Sequence, residues 1–116
     1  MSDLFSVSGE RQGDDLGVVT LSGEVDIFTA PQFKECLLEL LDAGVKRLVV
    51  DLSGVTFIDS TALGVLIGGV RRVHTAGGSM AIVVTTRPVE RVLSVTGLDR
   101  VFSMHATREE AVAALG

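Results

Sequence analysis

The chain has 116 residues, 10 Lys+Arg against 15 Asp+Glu for a formal net charge of −5, 47% hydrophobic residues, 4% aromatics and one cysteine, Cys36. That length suits a single domain over 1–116 with a core of its own, and a lone cysteine excludes an internal disulfide framework and a cysteine-based zinc site while fitting a reducing cytoplasm. No apolar run approaches the roughly 18 residues of a membrane span, MSDLFSVSGE lacks the parts of a secretory signal, and an acidic balance without Trp, Tyr or a basic cluster argues against nucleic acid as partner.

The apolar period changes several times along the chain, as it does in mixed α/β proteins. Leu4 to Val7 predicts a short first strand, Gly9 to Asp15 a polar hairpin turn, and the β-branched Leu16 to Ser22 a second strand. A helix start follows. Thr29 is placed as N-cap with Gln32 at the capping-box position, Pro31 in the first turn, and Phe28 and Phe33 as a hydrophobic staple. Phe33, Leu37, Leu40 and Leu41 share one face of this helix, and Gly44 is its C′ residue.

Leu48 to Leu52 reads as a strand covered on both faces. The chain then passes Val55, Phe57 and Ile58 to a second helix beginning near Asp59-Ser60-Thr61, with Leu63, Leu66, Ile67, Val70 and Val73 buried and Gly77-Gly78 at its end. Met80 to Val84 is another buried-type strand. Pro88 opens a third helix through Val95, stopped at Thr96-Gly97-Leu98. Val101-Phe102 predicts a short edge strand, and Thr107 with Glu110 a second capping box opening a last helix through Leu115. The order β-β-α-β-α-β-α-(β)-α favours an α/β fold with a mostly parallel sheet and right-handed crossovers. Helix N-termini then collect at the carboxyl ends of the strands, where sites of such sheets usually lie.

Catalytic parts are few. His74 and His105 fall in different elements without an acid–base partner at a meaningful spacing, and His74 reads as a cation at a helix end. There is no GxGxxG, P-loop or GxSxG, and Cys36 reads as a packing residue. No cofactor or metal is expected, and a small enzyme or nucleotide-binding protein is the weaker reading. Glu24 and Asp26 are solvated loop acids or set the field beside Ser60; catalysis by that carboxylate pair lacks any indicated substrate pocket.

The informative stretch is Asp51 to Gly69. Asp59 or Ser60 is a natural cap for the helix that follows. A helix N-terminus is also a phosphate site, and a phosphoryl group on Ser60 would add about −1.5 to −2 charges there. Thr61, Gly64, Val65, Gly68 and Arg72 share the face opposite the buried stripe. Glycine inside a helix costs up to about 1 kcal/mol relative to alanine, so these glycines need a reason: close approach of a partner, or close packing of the helix on its own sheet. An exposed Val65 among small residues would suit a flat docking patch.

These segments resemble STAS domains. Gly23-Glu24-Val25-Asp26 with the Thr29-Ala30-Pro31 helix start is similar to the family's GE(I/L)D segment. Asp51-Leu52-Ser53 through Leu66 is similar to the signature around its phosphorylated serine, and Val92-Leu93 through Thr96-Gly97-Leu98 to Phe102 to its C-terminal TGL…F segment. The resemblance is strongest to the stand-alone anti-sigma factor antagonists of bacterial partner switching. One departure is Ala62, where many members carry glycine; the helix start is expected to survive it, and the effect of the added methyl on partner contact stays open.

The resemblance implies a fold with about four helices on a mixed, mostly parallel sheet, and a cytoplasmic regulator that is substrate and switch rather than enzyme. Ser60 would be the phosphorylated residue, with Thr61 as its neighbouring fallback. The unphosphorylated chain would bind an anti-sigma factor, itself a serine kinase of the GHKL type, through Glu24, Asp26, Asp59, Ser60, Thr61, Gly64, Val65, Gly68 and Arg72. A PP2C-type phosphatase would restore binding. The alternative implied role is a non-catalytic STAS subunit of a transporter or stress-sensing scaffold, and self-association through the glycine-bearing face would give a homodimer.

Overall fold

The computed structural model describes residues 5–115. Leu4, expected to open the first strand, lies outside them. The elements run β1 (Ser6–Gln12), β2 (Leu16–Val25), α1 (Ala30–Asp42), β3 (Arg47–Ile58), α2 (Ser60–Thr75), β4 (Ser79–Val83), α3 (Arg87–Val95), a 3-10 turn (Leu98–Arg100), β5 (Ser103–His105) and α4 (Arg108–Leu115). One five-stranded sheet has the order β1-β2-β3-β4-β5. Only the β1–β2 pair is antiparallel; β2 to β5 are parallel, joined by helical crossovers as the alternation of elements predicts.

Several boundaries depart from the sequence expectation. Gly9 to Gln12 is strand, not turn, because β1 pairs in full register with β2, from Ser6 against Ser22 to Gln12 against Leu16. As a mostly exposed edge strand it carries little apolar alternation to betray it. β2 continues through Gly23-Glu24-Val25, whose partners are Val55, Phe57 and Ile58. β3 is therefore twelve residues long rather than five. The last strand falls at Ser103–His105, two residues beyond Val101-Phe102.

The helix ends follow their chemistry more closely. α1 and α2 are succeeded by Gly44 and Gly77 at φ +95° and +85°, a left-handed conformation that costs glycine nothing. At α4, Thr107 Oγ1 accepts from the Glu110 amide at 3.1 Å, while the Glu110 carboxylate takes the Ala106 amide at 3.3 Å, one residue further back than a strict capping box. The α1 box and staple do not form. Thr29 makes no side-chain cap, and Phe28 is 83% exposed while Phe33 is buried.

Side-chain alternation divides the sheet into two faces. Leu48, Val50 and Leu52 join Val19, Leu21 and Ile82 under α1, α2 and α3 in the larger core. Val49 joins Leu16, Val18, Ala81 and Val83 beneath Ala111 of α4. Asp51, two residues after Val49, points to that second face and is 5% exposed. Its Oδ2 accepts from Arg108 Nε at 2.6 Å, and Arg108 also donates to Thr20 Oγ1 at 2.7 Å from the register position beside Asp51. Its Oδ1 accepts from the Ser53 amide at 2.9 Å and hydroxyl at 2.6 Å. Burial pushes the Asp51 carboxyl up, but the Ser53 hydrogen bonds and the Arg108 guanidinium outweigh it and hold it below its ordinary value. This ion pair pins the last helix to the sheet.

Candidate functional site

The carboxyl ends of β2, β3 and β4 and the N-termini of α1, α2 and α3 meet at one edge of the sheet. Asp59 organises it. It is the N-cap of α2, and its Oδ1 accepts from the Thr61 and Ala62 amides at 2.9 and 3.0 Å. Its Oδ2 accepts from the Ile27 amide at 3.1 Å, tying the start of α2 to the loop before α1. Of the two capping candidates, Asp59 is the cap, and Ser60 stands exposed as the first helical residue.

Asp26 plays the matching part at α1. Its Oδ1 accepts from the amides of Phe28 and Thr29 at 2.9 and 3.1 Å. Thr29 Oγ1 accepts from the Asp26 amide at 2.9 Å and lies 3.1 Å from the Glu24 carbonyl, to which it donates. So Thr29 closes the loop backward instead of capping forward, which is why the expected box is absent. Glu24, at the end of β2, is exposed beside this loop. The structure thus gathers Glu24, Asp26, Asp59 and Ser60 at one edge.

The remaining expected site residues lie along α2. Thr61, Gly64, Val65, Gly68 and Arg72 line one wall of a groove of about 440 Å³ whose other wall is α1, through Ala30, Pro31, Lys34 and Leu38. The surface is therefore a groove rather than a flat patch, and Val65 is half-buried, packed against the core. The glycines separate into two kinds. A Cβ on Gly69 would stand 2.9 Å from Leu37 Cδ1, so that glycine serves the packing of α2 on α1. A Cβ on Gly64 or Gly68 would meet nothing within 4 Å. Ala62 is 1% exposed, so its methyl enters the core and not the groove.

Neither histidine joins this edge cluster. His74 is exposed in the last turn of α2, and His105 Nε2 lies 2.6 Å from Ser103 Oγ in β5. Burial, and then the Glu39 carboxylate, push the half-buried Cys36 thiol up, which suits packing beneath Gly9 and not reactivity. Among the described residues no group of three His, Cys, Asp or Glu is placed to hold a metal, and no helix is long and apolar enough to cross a membrane. Two features escaped the sequence expectation: the exposed apolar pair Ile27 and Phe28, and the Asp51–Arg108 pair. An acid inside an apolar strand was the available signal for the second, since a buried carboxylate demands a partner.

The STAS domain model matches residues 10–111, a span that takes in every residue of this edge and groove. This chain belongs to the STAS domain family. A Thermotoga maritima protein provisionally assigned as an anti-sigma factor antagonist is 36% identical over 100 residues, covering 85% of this chain and 88% of its own. The anti-sigma-B factor antagonist of Bacillus subtilis is 33% identical over 102 residues, 88% of this STAS chain and 93% of that protein. The crystal structure of an anti-sigma factor antagonist from Mycobacterium paratuberculosis superposes with a TM-score of 0.87 at 28% identity, covering 97% of this chain and 94% of the other. The expected α/β fold with four helices on a mostly parallel sheet is the one observed.

Proposed function

We propose that this STAS protein is an anti-sigma factor antagonist switched by phosphorylation of Ser60. In its unphosphorylated state it binds an anti-sigma factor, a serine kinase of the GHKL type, and so frees a sigma factor in the cytoplasm. A PP2C-type phosphatase reverses the modification. The chain itself is the substrate and carries no catalytic group in this role. The observation that carries the reading is the placement of Ser60: an exposed hydroxyl at the first position of α2, at the head of a groove and inside the family's matched span. Thr61 is exposed beside it and is the fallback acceptor.

The test is incubation of the chain with purified GHKL-type anti-sigma factors of its source organism and ATP. Intact mass is expected to rise by one phosphate, and fragment mapping to place it on Ser60. No modification by any of them, or modification confined to other elements, removes this reading.

Gly64 and Gly68 support the same surface. Among the described residues nothing stands within 4 Å of a Cβ at either position, so alanine at both is expected to stabilise α2 by about 0.5–1 kcal/mol each through helix propensity. The melting temperature should rise by several degrees. A partner that approaches the α2 backbone would meet two new methyl groups, and its affinity is expected to fall at least tenfold in a titration. Unchanged affinity in the stabilised double variant places the partner elsewhere.

A further inference from the structure

The exposed large apolar side chains of the described residues fall in two places. Val95 and Val101 lie at the end of α3 and beyond the 3-10 turn. Ile27, Phe28 and Phe57, exposed by 61, 83 and 47%, lie at the edge that carries Ser60. Phe57 is the β3 partner of Glu24.

The Ile27-Phe28 turn is held rigidly with these side chains outward. Asp59 Oδ2 takes the Ile27 amide, Asp26 Oδ1 takes those of Phe28 and Thr29, and Thr29 Oγ1 takes that of Asp26, all at 2.9–3.1 Å. A hydrophobic staple would have turned Phe28 inward on Phe33, and this bonding replaces it. An aromatic side chain carried on a hydrogen-bonded turn and surrounded by polar groups is a usual anchor of a protein interface, because its backbone has little ordering entropy left to lose when the ring is buried. Asp59 is bonded to Ile27 and is the residue before Ser60, so a protein that covers Ser60 also covers this turn.

We propose that Phe28, together with its chain neighbour Ile27, is the anchor by which the anti-sigma factor holds this chain. The partner presents an apolar pocket for the Phe28 ring, with basic side chains on its rim to meet Glu24, Asp26 and Asp59. This rests on the reading of Ser60 as the regulated residue. The kinase grips the turn before α1 while its active site reaches the start of α2, so affinity resides in Phe28 and the switch in Ser60.

The experiment compares wild type, Phe28→Ala, Phe28→Leu and the control Val95→Ala. The probe is a purified GHKL-type anti-sigma factor that phosphorylates the wild-type chain at Ser60. Phe28 is exposed, so all variants are expected to melt together with wild type. Phe28→Ala is expected to weaken binding at least 30-fold, a hot-spot-sized loss, and to raise KM for Ser60 phosphorylation with little change in kcat. Phe28→Leu should lie between, and Val95→Ala should match wild type. Phosphorylation of wild type at Ser60 with Phe28→Ala affinity within threefold overturns this inference alone. A loss equal in Val95→Ala overturns it too. A wild-type chain neither bound nor phosphorylated at Ser60 by any such kinase overturns the underlying reading, and this inference with it.

Discussion

Phosphorylation of Ser60 is expected to weaken anti-sigma factor binding about a hundredfold, and Ser60→Asp at least tenfold, while Ser60→Ala stays within threefold of wild type. The hydroxyl stands exposed between Asp59 and the groove of α1 and α2. A partner seated there must strip water from whatever group Ser60 bears. An unpaired charge buried in this way costs several kcal/mol, and about 3 kcal/mol corresponds to two orders of magnitude in affinity.

Within the free chain the sign is opposite. Negative charge at the first turn of a helix is favourable by about 0.3–1 kcal/mol, so Ser60→Asp should melt no lower than wild type. The two effects therefore separate: calorimetric titration reports a loss of affinity, and thermal denaturation reports an intact fold. Screening by added salt should restore part of the binding of Ser60→Asp. Equal affinity of Ser60→Asp and wild type would falsify electrostatic obstruction as the basis of the switch.

Arg108→Ala is expected to destabilise the fold by about 2–3 kcal/mol, since the buried Asp51 carboxylate loses its charged partner and keeps only the Ser53 hydrogen bonds. Asp51 is nearly inaccessible, whereas the Arg108 side chain is 42% exposed, so the cost falls on the carboxylate. For a chain of this size the loss corresponds to roughly 10 °C in melting temperature. α4 should loosen first, because its apolar cover of Val49, Ala81 and Val83 is small.

The same pair gives a pH dependence. The Asp51 carboxyl is held below its ordinary value in the folded chain, so its contribution is whole above the unfolded Asp pKa of about 4 and is lost as pH falls through the folded value. Melts from pH 7 down to pH 3 should show this loss in wild type, and a shallower loss in Asp51→Asn on a lowered baseline. An Arg108→Ala chain that melts with wild type at pH 7 would show that α4 is held by its apolar contacts alone.

Local chemistry made much of the site legible. Asp-Ser-Thr before an apolar helical stripe marks a capped start, and Asp59 is that cap. The sequence leaves open which of Asp59 and Ser60 caps the helix; the Thr61 and Ala62 amides bond to Asp59 and leave Ser60 exposed as the first helical residue. The period of Leu63, Leu66, Val70 and Val73 set Thr61, Gly64, Val65, Gly68 and Arg72 on one face, and they do line one groove. The wall opposite, from α1, was not legible, because facing helices are paired by packing rather than by spacing along the chain.

Local rules failed where a distant group competes for the same atoms. Thr29, Pro31 and Gln32 spell a capping box with Phe28 and Phe33 as staple, yet Asp26 takes the loop amides and Asp59, thirty-odd residues on, takes that of Ile27. That leaves Phe28 outside. β1 is a strand because β2 offers it a ladder, although Gly9 to Gln12 alone has turn composition.

By itself, then, the order of amino acids determined the alternation of strands and helices, the parallel sheet that follows from it, and the edge at which helix N-termini gather, because periodicity and capping are interactions of near neighbours. Tertiary structure alone decided that Asp51 meets Arg108 across 57 positions, that Ala62 faces inward, that Gly69 packs on Leu37 while Gly64 and Gly68 stay open, and that Phe28 stands exposed. Each of these depends on what the other side of a contact is, and that is set only when the sheet brings remote segments together.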